Sequence, residues 1–404
     1  MPCRGGCMEK EEQKNDEQAV AIAKAATSAN IVTADSVEAE EVPTIPLGSL
    51  QKLGGLQPAV VVHSIASTHQ VDMPTPLVVQ SVEYQRSMRE WLQFWRDGIR
   101  PAYLPLAVMP VLLGSVLAWT HSVSVQKPLG QFRFIHFIAM LAIACLLQAG
   151  ASLINDYYDY LGGVDTANAL GPGALIQQGL VKPARVLSVG LALLGSGALL
   201  GLIVAASGGA IVYVLGLVGL LCAYFYSATT RPLSAIALGE LIGFLIYGPC
   251  MTLGAYAVET GTISHEALIY SVPLGLLAAG VIHLNNIRDI EGDIQSGRRT
   301  MASLLGLNWS RAWCATLLLA AYLVIIGLAM PPGAPHLILI ILWTLPTLVV
   351  IITGVLRTDS PASFHLAMHK LLKMEVVFVV LLTIALTITT LLPVLIYLPT
   401  HILR

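Results

Sequence analysis

Two short segments of the chain combine carboxylates and carboxamides at spacings suited to binding a cation. The first, Asn155 to Asp159, reads NDYYD, and the second, Asn285 to Asp293, reads NNIRDIEGD. The acids of the first segment are three residues apart and those of the second are four apart, so each pair would share one face of a helix. Both segments can therefore direct a pair of carboxylates at one ligand.

The two segments are also related to each other by a constant offset of 130 residues, from 149 to 279. The positions that match are Ala149, Gly150, Asn155, Asp156 and Asp159 in the first copy and Ala279, Gly280, Asn285, Asn286 and Asp289 in the second. In both copies the match ends a long apolar stretch. The repetition predicts two copies of one ligand-bearing helix, as in proteins built from an internal duplication.

Acids at the end of an apolar stretch need a compensating charge. An ionisable side chain costs about 2.5–3.5 kcal/mol at the centre of a membrane helix and less near the interface. A divalent cation offsets this cost, and Mg²⁺ is typically held by a few carboxylates together with substrate phosphates. The segments therefore predict a Mg²⁺ site for a diphosphate-bearing donor, with these catalytic acids: Asp156, Asp159, Asp289 and Asp293.

Four basic residues lie close to the two segments in sequence: Lys182, Arg288, Arg298 and Arg299. We predict that they bind the diphosphate, because positive charge stabilises a departing pyrophosphate. The alternative is that the acids and bases form ordinary salt bridges in solvated loops, with the bases also following the positive-inside rule.

The composition places these residues in a membrane protein. The chain has 404 residues, of which 55% are hydrophobic and 11% charged, well below the roughly 25% charged content of soluble domains. Apolar windows long enough to cross about 30 Å of hydrocarbon predict an all-α, multi-pass protein of about nine transmembrane helices around a central cavity. The predicted spans are 102–119, 135–156, 186–206, 209–227, 235–258, 266–287, 311–330, 336–356 and 374–397.

Basic residues flanking these spans fall mainly on one side of the membrane. The other side receives only Lys127, Arg133 and Arg404. The richer side receives Arg86, Arg89, Arg96, Arg100, Lys182, Arg185, Arg231, Arg288, Arg298, Arg299, Arg311, Arg357, Lys370 and Lys373. Because short cytoplasmic loops collect Lys and Arg, we predict that the N-terminus and the acidic segments face the cytoplasm.

Three regions follow one another along the chain. Residues 1–85 mix polar residues without a periodic apolar face or the apolar core of a signal peptide, which predicts a largely disordered polar leader. In residues 86–100 aromatic side chains alternate with arginines, as in a helix lying in the headgroup region; an ordinary aromatic belt is the alternative. The membrane domain occupies residues 101–404. A net charge of −2 gives no basic surface for nucleic acid.

Together the two acidic segments resemble those of the UbiA superfamily of intramembrane aromatic prenyltransferases. The resemblance is carried by Asn155 to Asp159 with Gly163-Val164-Asp165, and by Asn286 to Asp293 with Gly297-Arg298-Arg299-Thr300. It is closest to the 1,4-dihydroxy-2-naphthoate polyprenyltransferase branch and its menadione-prenylating animal relatives, and it covers about residues 90–395. Further similarities are Arg100-Pro101, Ala237 to Glu240, Tyr247-Gly248-Pro249 and Leu305-Gly306.

The resemblance implies a reaction and a set of ligands. The implied reaction is Mg²⁺-dependent transfer of a polyprenyl chain from prenyl diphosphate to an aromatic quinone precursor, most closely 1,4-dihydroxy-2-naphthoate in menaquinone biosynthesis. Each segment is implied to hold a Mg²⁺ on the donor diphosphate. The implied metal ligands are Asn155, Asp156 and Asp159 in one segment and Asp289 and Asp293 in the other. Substrate binding is expected to include Asn155, Asp165 and Asn286.

Departures from the branch concern the acceptor. The chain has Glu240 where the branch usually shows Asp, and the loop from Tyr226 to Pro232 differs from the Gly-rich or Lys-containing loops of relatives. Tyr226 and Arg231 are therefore predicted on the acceptor side, and menadione, 4-hydroxybenzoate and homogentisate remain alternative acceptors.

A rival from another class is an ion-coupled transporter whose membrane acids bind the transported cation. The acids gather at one membrane face rather than at the midplane, which disfavours it. Membrane lipid is the expected surrounding, and the oligomeric state is not determined by the sequence.

Overall fold

The computed structural model describes residues 87–123, 130–163, 176, 179, 181–229 and 232–402, with side chains described as far as residue 394. The predicted leader, residues 1–85, lies outside this part of the chain, as do two predicted site residues, Asp165 and Arg231.

Helices account for nearly all of the described chain. They are α1 Met88–Ile99, α2 Leu104–Ser122, α3 Phe134–Leu161, α4 Pro183–Gly208, α5 Ala210–Phe225, α6 Gly239–Thr260, α7 His265–Arg288, α8 Ile290–Gln295, α9 Met301–Ala329, α10 His336–Arg357 and α11 Pro361–Ile402. A π-helical turn, Ile246–Cys250, interrupts α6, and α10 begins with the 3₁₀ segment His336–Thr344. The predicted all-α, multi-pass architecture is confirmed.

The number of membrane spans is where prediction and structure differ. Within the described residues eight helices are long and apolar enough to cross a membrane, so the predicted count of nine is not confirmed. The remaining apolar helix, α5, has 16 residues and is therefore only about 24 Å long, shorter than the hydrocarbon layer. Two spans also begin earlier than predicted, since α9 starts at Met301 and α11 at Pro361.

The early starts of α9 and α11 have different causes. The predicted window 374–397 avoided charged residues, yet Lys370 and Lys373 lie inside α11. In α9 the ten residues before Arg311 carry no charge, and the helix is kinked at Gly306 (φ 71°, ψ 167°). Arg311 pairs with the exposed Asp359, and Lys370 is itself exposed. Long basic side chains near a helix end can reach the interface while their stems stay among apolar groups.

A short amphipathic helix, α1, precedes the first span. The Ser87 hydroxyl accepts a hydrogen bond from the Glu90 backbone N–H, and the Glu90 carboxylate accepts one from the Ser87 N–H. This capping box satisfies two of the backbone donors left free at a helix start. Phe94 is buried against Leu153 of α3. The helix ends at Arg100, whose left-handed backbone (φ 55°) turns the chain into the first span; the location of α1 in the headgroup region stays a prediction.

Close helix packing brings the acidic segments to one end of the bundle. A Cβ at Gly150 of α3 would lie 2.9 Å from the carbonyl oxygen of Gly190 of α4. Likewise, a Cβ at Gly248 of α6 would lie 2.8 Å from Cα of Gly275 of α7. Small residues at such contacts let membrane helices approach closely. Helix α7 is buried along most of its length, and residues at its C-terminal end line the same cavity as Asn155 and Asp159 at the end of α3.

Candidate active site

A cavity of about 580 Å³ opens between α2, α3, α4, α5, α6 and α7. Its walls are mainly apolar, and one end carries the polar residues Asn155, Asp159, Tyr226, Asn285, Asn286, Arg288, Asp289, Asp293 and Arg298. On α3 the lining extends from Met140 to Asp159, which is roughly 28 Å along the helix axis. The cavity is therefore a long apolar space closed at one end by charge.

The first acidic segment is held by Arg100. Asp156 is buried and forms an ion pair with the Arg100 guanidinium, which also donates to Oδ1 of Asn155 at 3.0 Å. The Asn155 amide nitrogen donates to Ser227 Oγ at 3.0 Å. Because Asn155 lies between two fixed partners, its oxygen keeps one orientation at the edge of the cavity.

The second acidic segment begins where α7 ends. Arg288 donates to both carboxylate oxygens of Asp289, at 2.7 Å from Nε and 2.5 Å from Nη2. The same Nη2 donates to Oδ1 of Asn285 at 3.0 Å. The sequence offset thus has a structural counterpart: in each copy the first asparagine accepts a hydrogen bond from an arginine that also pairs with an aspartate of that copy.

Arg298 joins the two segments. Its Nη1 lies 2.9 Å from Asp159 Oδ1 and its Nε lies 3.4 Å from Asp293 Oδ1. Asp293 also accepts from Thr300 Oγ1 at 3.1 Å, and Gly297 (φ 74°) provides the left-handed turn that lets the loop fold back beside α8. The carboxylates of the two segments are consequently brought to opposite sides of one guanidinium.

Burial affects two ionisable groups next to this loop. It raises the pKa of Asp293 to about 6, against the opposing pull of Arg298. Burial also raises the pKa of Tyr226, so its phenol is a neutral hydrogen-bond donor. Burial disfavours the charged form of the Asp293 carboxyl group, and a cation bound beside it would favour that form.

The donor set fits a hard divalent cation bound together with phosphates. In the described part of the chain no three His, Cys, Asp or Glu side chains are close enough together to hold a metal by themselves. Mg²⁺ commonly takes only one or two protein carboxylates and completes its shell with water and phosphate oxygens. Asp159, Asp289 and Asp293 line one cavity with the Asn155 amide, and all four offer oxygen.

The structure brings most of the predicted site residues that it describes to one cavity and leaves three outside its lining. Asn286 and Tyr226 line the cavity with Arg288 and Arg298, whereas Asp156 pairs with Arg100 outside the lining. Lys182 and Arg299 are both exposed and do not line this cavity, although Arg299 lines a neighbouring pocket with Asp159 and Arg298. Lys182 precedes α4, and the Arg299 backbone N–H instead donates to the Ala235 carbonyl at 2.9 Å.

Several residues of the site were not predicted. The sequence indicates Arg100 only as one of four arginines before the first span and as part of the resemblance. The buried Glu240 shares a hydrogen bond with His283 and accepts one from Asn286. On the cavity wall, Tyr247 donates to Gln148 at 2.7 Å. No spacing in the sequence indicated these pairings.

Comparison with known proteins agrees with this architecture. The 1,4-dihydroxy-2-naphthoate octaprenyltransferase of Bacillus subtilis is 31% identical over 290 residues, which cover 72% of this chain and 91% of that protein. The UbiA prenyltransferase domain-containing protein 1 of Danio rerio is 32% identical over 236 residues, covering 57% and 67% respectively.

Among solved structures, a UbiA homolog from Archaeoglobus fulgidus bound to GPP and Mg²⁺ covers 73% of this chain and 99% of its own, with a TM-score of 0.53. At 16% identity this likeness shows a shared fold. The sequence model of the UbiA prenyltransferase family matches residues 107–372. The chain therefore belongs to the UbiA prenyltransferase family, as its two acidic segments predicted, and it is a multi-pass membrane prenyltransferase.

Proposed function

We propose that this chain transfers a polyprenyl group from a prenyl diphosphate to 1,4-dihydroxy-2-naphthoate, with Mg²⁺, as a step of menaquinone biosynthesis. The observation that carries the proposal is the convergence of two acidic segments and two cavity-lining arginines, Arg288 and Arg298, at one end of a long apolar cavity. A prenyl diphosphate matches this cavity, because it carries a charged diphosphate at one end of an apolar chain.

The donor diphosphate would bind at the charged end. Asn155, Asp159, Asp289 and Asp293 would hold Mg²⁺ there, and the ion supplies Lewis-acid stabilisation of charge on the phosphate oxygens. Asp156 does not line the cavity, and it would orient the Arg100 guanidinium with which it is paired.

The arginines would stabilise the leaving group. The C–O bond of the allylic diphosphate breaks, and its electron pair leaves with the pyrophosphate. Arg288 and Arg298 each have several N–H groups at the cavity, and guanidinium binds phosphate oxygens in a bidentate manner. In the absence of the donor both guanidiniums pair with carboxylates of the two acidic segments, so binding of Mg²⁺ and diphosphate would transfer the arginines from the carboxylates to the phosphate oxygens.

The apolar part of the cavity would hold the prenyl chain and exclude water from the allylic cation. The ring carbon of the acceptor that bears the carboxylate attacks this cation. A C–C bond forms there, and the carboxylate departs as CO₂ and leaves its electron pair in the ring. Tyr226, a neutral donor that lines the cavity, would donate a hydrogen bond to an acceptor oxygen.

The choice of acceptor is supported by the relatives. The Bacillus subtilis protein, aligned over 91% of its length, carries the naphthoate acceptor in its name. Menadione, 4-hydroxybenzoate and homogentisate are the competing acceptors. The distribution of Lys and Arg in the sequence supports a site on the cytoplasmic face.

The test is a prenylation assay with purified full-length protein, Mg²⁺, prenyl diphosphates of several lengths and the four acceptors, with products identified by mass. We expect prenylated naphthoquinol and CO₂ from 1,4-dihydroxy-2-naphthoate. A bacterial strain lacking its own naphthoate prenyltransferase should regain menaquinone with this chain and not with its Asp289→Asn variant. Prenylation of 4-hydroxybenzoate alone would refute the acceptor, and rescue by Asp289→Asn would refute the assigned site.

A further inference from the structure

A carboxyl–imidazole pair lies buried directly behind the second acidic segment. Glu240, in the first turn of α6, is 6% exposed, and His283 of α7 is fully buried. Glu240 Oε1 lies 2.9 Å from His283 Nδ1 and 2.9 Å from Asn286 Nδ2. The other ring nitrogen, His283 Nε2, lies 3.0 Å from the Ser310 carbonyl oxygen. Two helices and the following α9 therefore meet at one imidazole.

Hydrogen-bond chemistry fixes the proton content of this pair. A carbonyl oxygen only accepts, so His283 Nε2 carries a hydrogen. The contact between Nδ1 and Glu240 Oε1 needs a second hydrogen, on either the ring or the carboxyl group. The pair is therefore imidazolium with carboxylate or imidazole with carboxylic acid, and both forms hold two protons and no net charge. In either form Oε1 accepts a hydrogen bond from Asn286.

The orientation of the Asn286 amide follows from that acceptor. Its nitrogen faces Glu240, and the Asn286 side chain lines the cavity. The atom that Asn286 can direct into the cavity is therefore its oxygen. Asn286 and Asp289 are three residues apart at the end of α7 and thus lie on the same helical side. In the repeat, Asn286 occupies the place that Asp156 has in the first copy, and both side chains carry an oxygen, although only Asn286 lines the cavity.

We infer that Glu240, supported by His283, is a positioning residue that turns the Asn286 oxygen toward the divalent cation of the donor complex. The inference rests on the proposed Mg²⁺–diphosphate site. A diphosphate presents only acceptor oxygens and would repel an amide oxygen, so the oxygen serves the cation or one of its bound waters. Groups that orient metal ligands in this way commonly change metal affinity about 10- to 100-fold when removed.

One isosteric change separates orientation from packing. In Glu240→Gln one atom of the new amide must contact both His283 Nδ1 and the Asn286 amide. In the neutral ring Nδ1 carries no hydrogen and can only accept a hydrogen bond. An introduced N–H₂ satisfies His283 and forces Asn286 to turn its oxygen inward and its nitrogen to the cavity. Adding Asn286→Asp removes the conflict, because the N–H₂ group can donate to both His283 and the new carboxylate, which again presents an oxygen outward.

The experiment measures Mg²⁺-dependent binding of inorganic pyrophosphate by calorimetry, using the purified full chain in lipid nanodiscs. We expect Glu240→Gln to weaken binding about tenfold, Glu240→Asp to retain it, and the double variant Glu240→Gln/Asn286→Asp to recover most of the loss. The acceptor KM should not change. Wild-type affinity in Glu240→Gln, or no recovery in the double variant, would overturn the inference, as would a change confined to acceptor KM.

Two controls keep the result decisive. If Glu240→Gln alone does not yield folded protein, Asn286→Asp is compared with the double variant, since two facing carboxyl groups should make Asn286→Asp the weaker binder. Equal or weaker binding by the double variant then overturns the inference. Failure of the proposed function is distinguishable, because it would appear in the wild type as absence of Mg²⁺-dependent pyrophosphate binding and of prenyl transfer.

Discussion

Replacing Arg298 by glutamine tests whether the acids of the two segments are built to share a cation. The Arg298 side chain is 16% exposed and pairs with Asp159 and Asp293, which are 18% and 4% exposed. Removing one partner of a buried ion pair costs about 3–5 kcal/mol. Because water can enter through the cavity, we expect Arg298→Gln to lose about 3 kcal/mol of unfolding free energy in the absence of divalent ions.

Mg²⁺ should restore most of that loss. A ligand at one hundred times its Kd stabilises the folded state by about 2.7 kcal/mol, and in the variant the ion no longer competes with the guanidinium. The wild type should gain less from Mg²⁺, because Arg298 must first be displaced. The assay is thermal or denaturant unfolding of purified protein, followed by tryptophan fluorescence, with a chelator or with millimolar Mg²⁺.

A second arginine provides the matched control. Arg311 pairs with Asp359, which is 83% exposed and lies outside the cavity. The Arg311 side chain is itself 12% exposed and also donates to the Thr358 carbonyl, so Arg311→Gln should lose some stability. Because its partner Asp359 lies in water and outside the cavity, the variant should show no added response to Mg²⁺. The reasoning is refuted if Mg²⁺ stabilises Arg298→Gln no more than it stabilises the wild type or the Arg311 variant.

Single Asp→Asn changes in either segment should lower prenyl transfer by about 100-fold in protein that still purifies as a folded monodisperse species. Chelation of Mg²⁺ should mimic them, and near-normal turnover in two of the four variants would contradict the shared site. These variants are at Asp156, Asp159, Asp289 and Asp293. Without divalent ions, the folded-state pKa of Asp293, about 6, exceeds the ordinary 3.8, so its ionisation lowers stability as the pH rises from about 4 through 6. Unfolding of Asp293→Asn should lack that slope, and an unchanged slope would place the titration elsewhere. Deleting residues 2–80 should leave transfer largely intact, because that polar segment has no apolar face with which to pack; loss of activity in a deletion that inserts normally would give the leader a part in the site.

Much of the fold was predictable from local properties of the chain. Each span is an apolar segment of membrane length, and helices satisfy their backbone hydrogen bonds within the segment, so composition alone locates them. Prediction failed where location depended on neighbours. Helix α5 is too short to qualify as a span by itself, and α11 begins before Lys370, whose tolerance inside the helix depends on where its charged group can reach.

The sequence by itself determined the two acidic segments, their repetition and the family, because spacings of three and four residues place side chains on one helical face wherever the helix lies. Only the tertiary structure decided the partners of those acids. Arg100 reaches Asp156 across 56 positions and Arg298 reaches Asp159 across 139, while Lys182 and Arg299, which are as near in sequence, stay outside the cavity. The Glu240 contact with Asn286, 46 positions apart, likewise arises where α6 packs on α7. Contacts over such separations depend on which helix faces meet and at what depth, and helical periodicity within a single segment does not specify either.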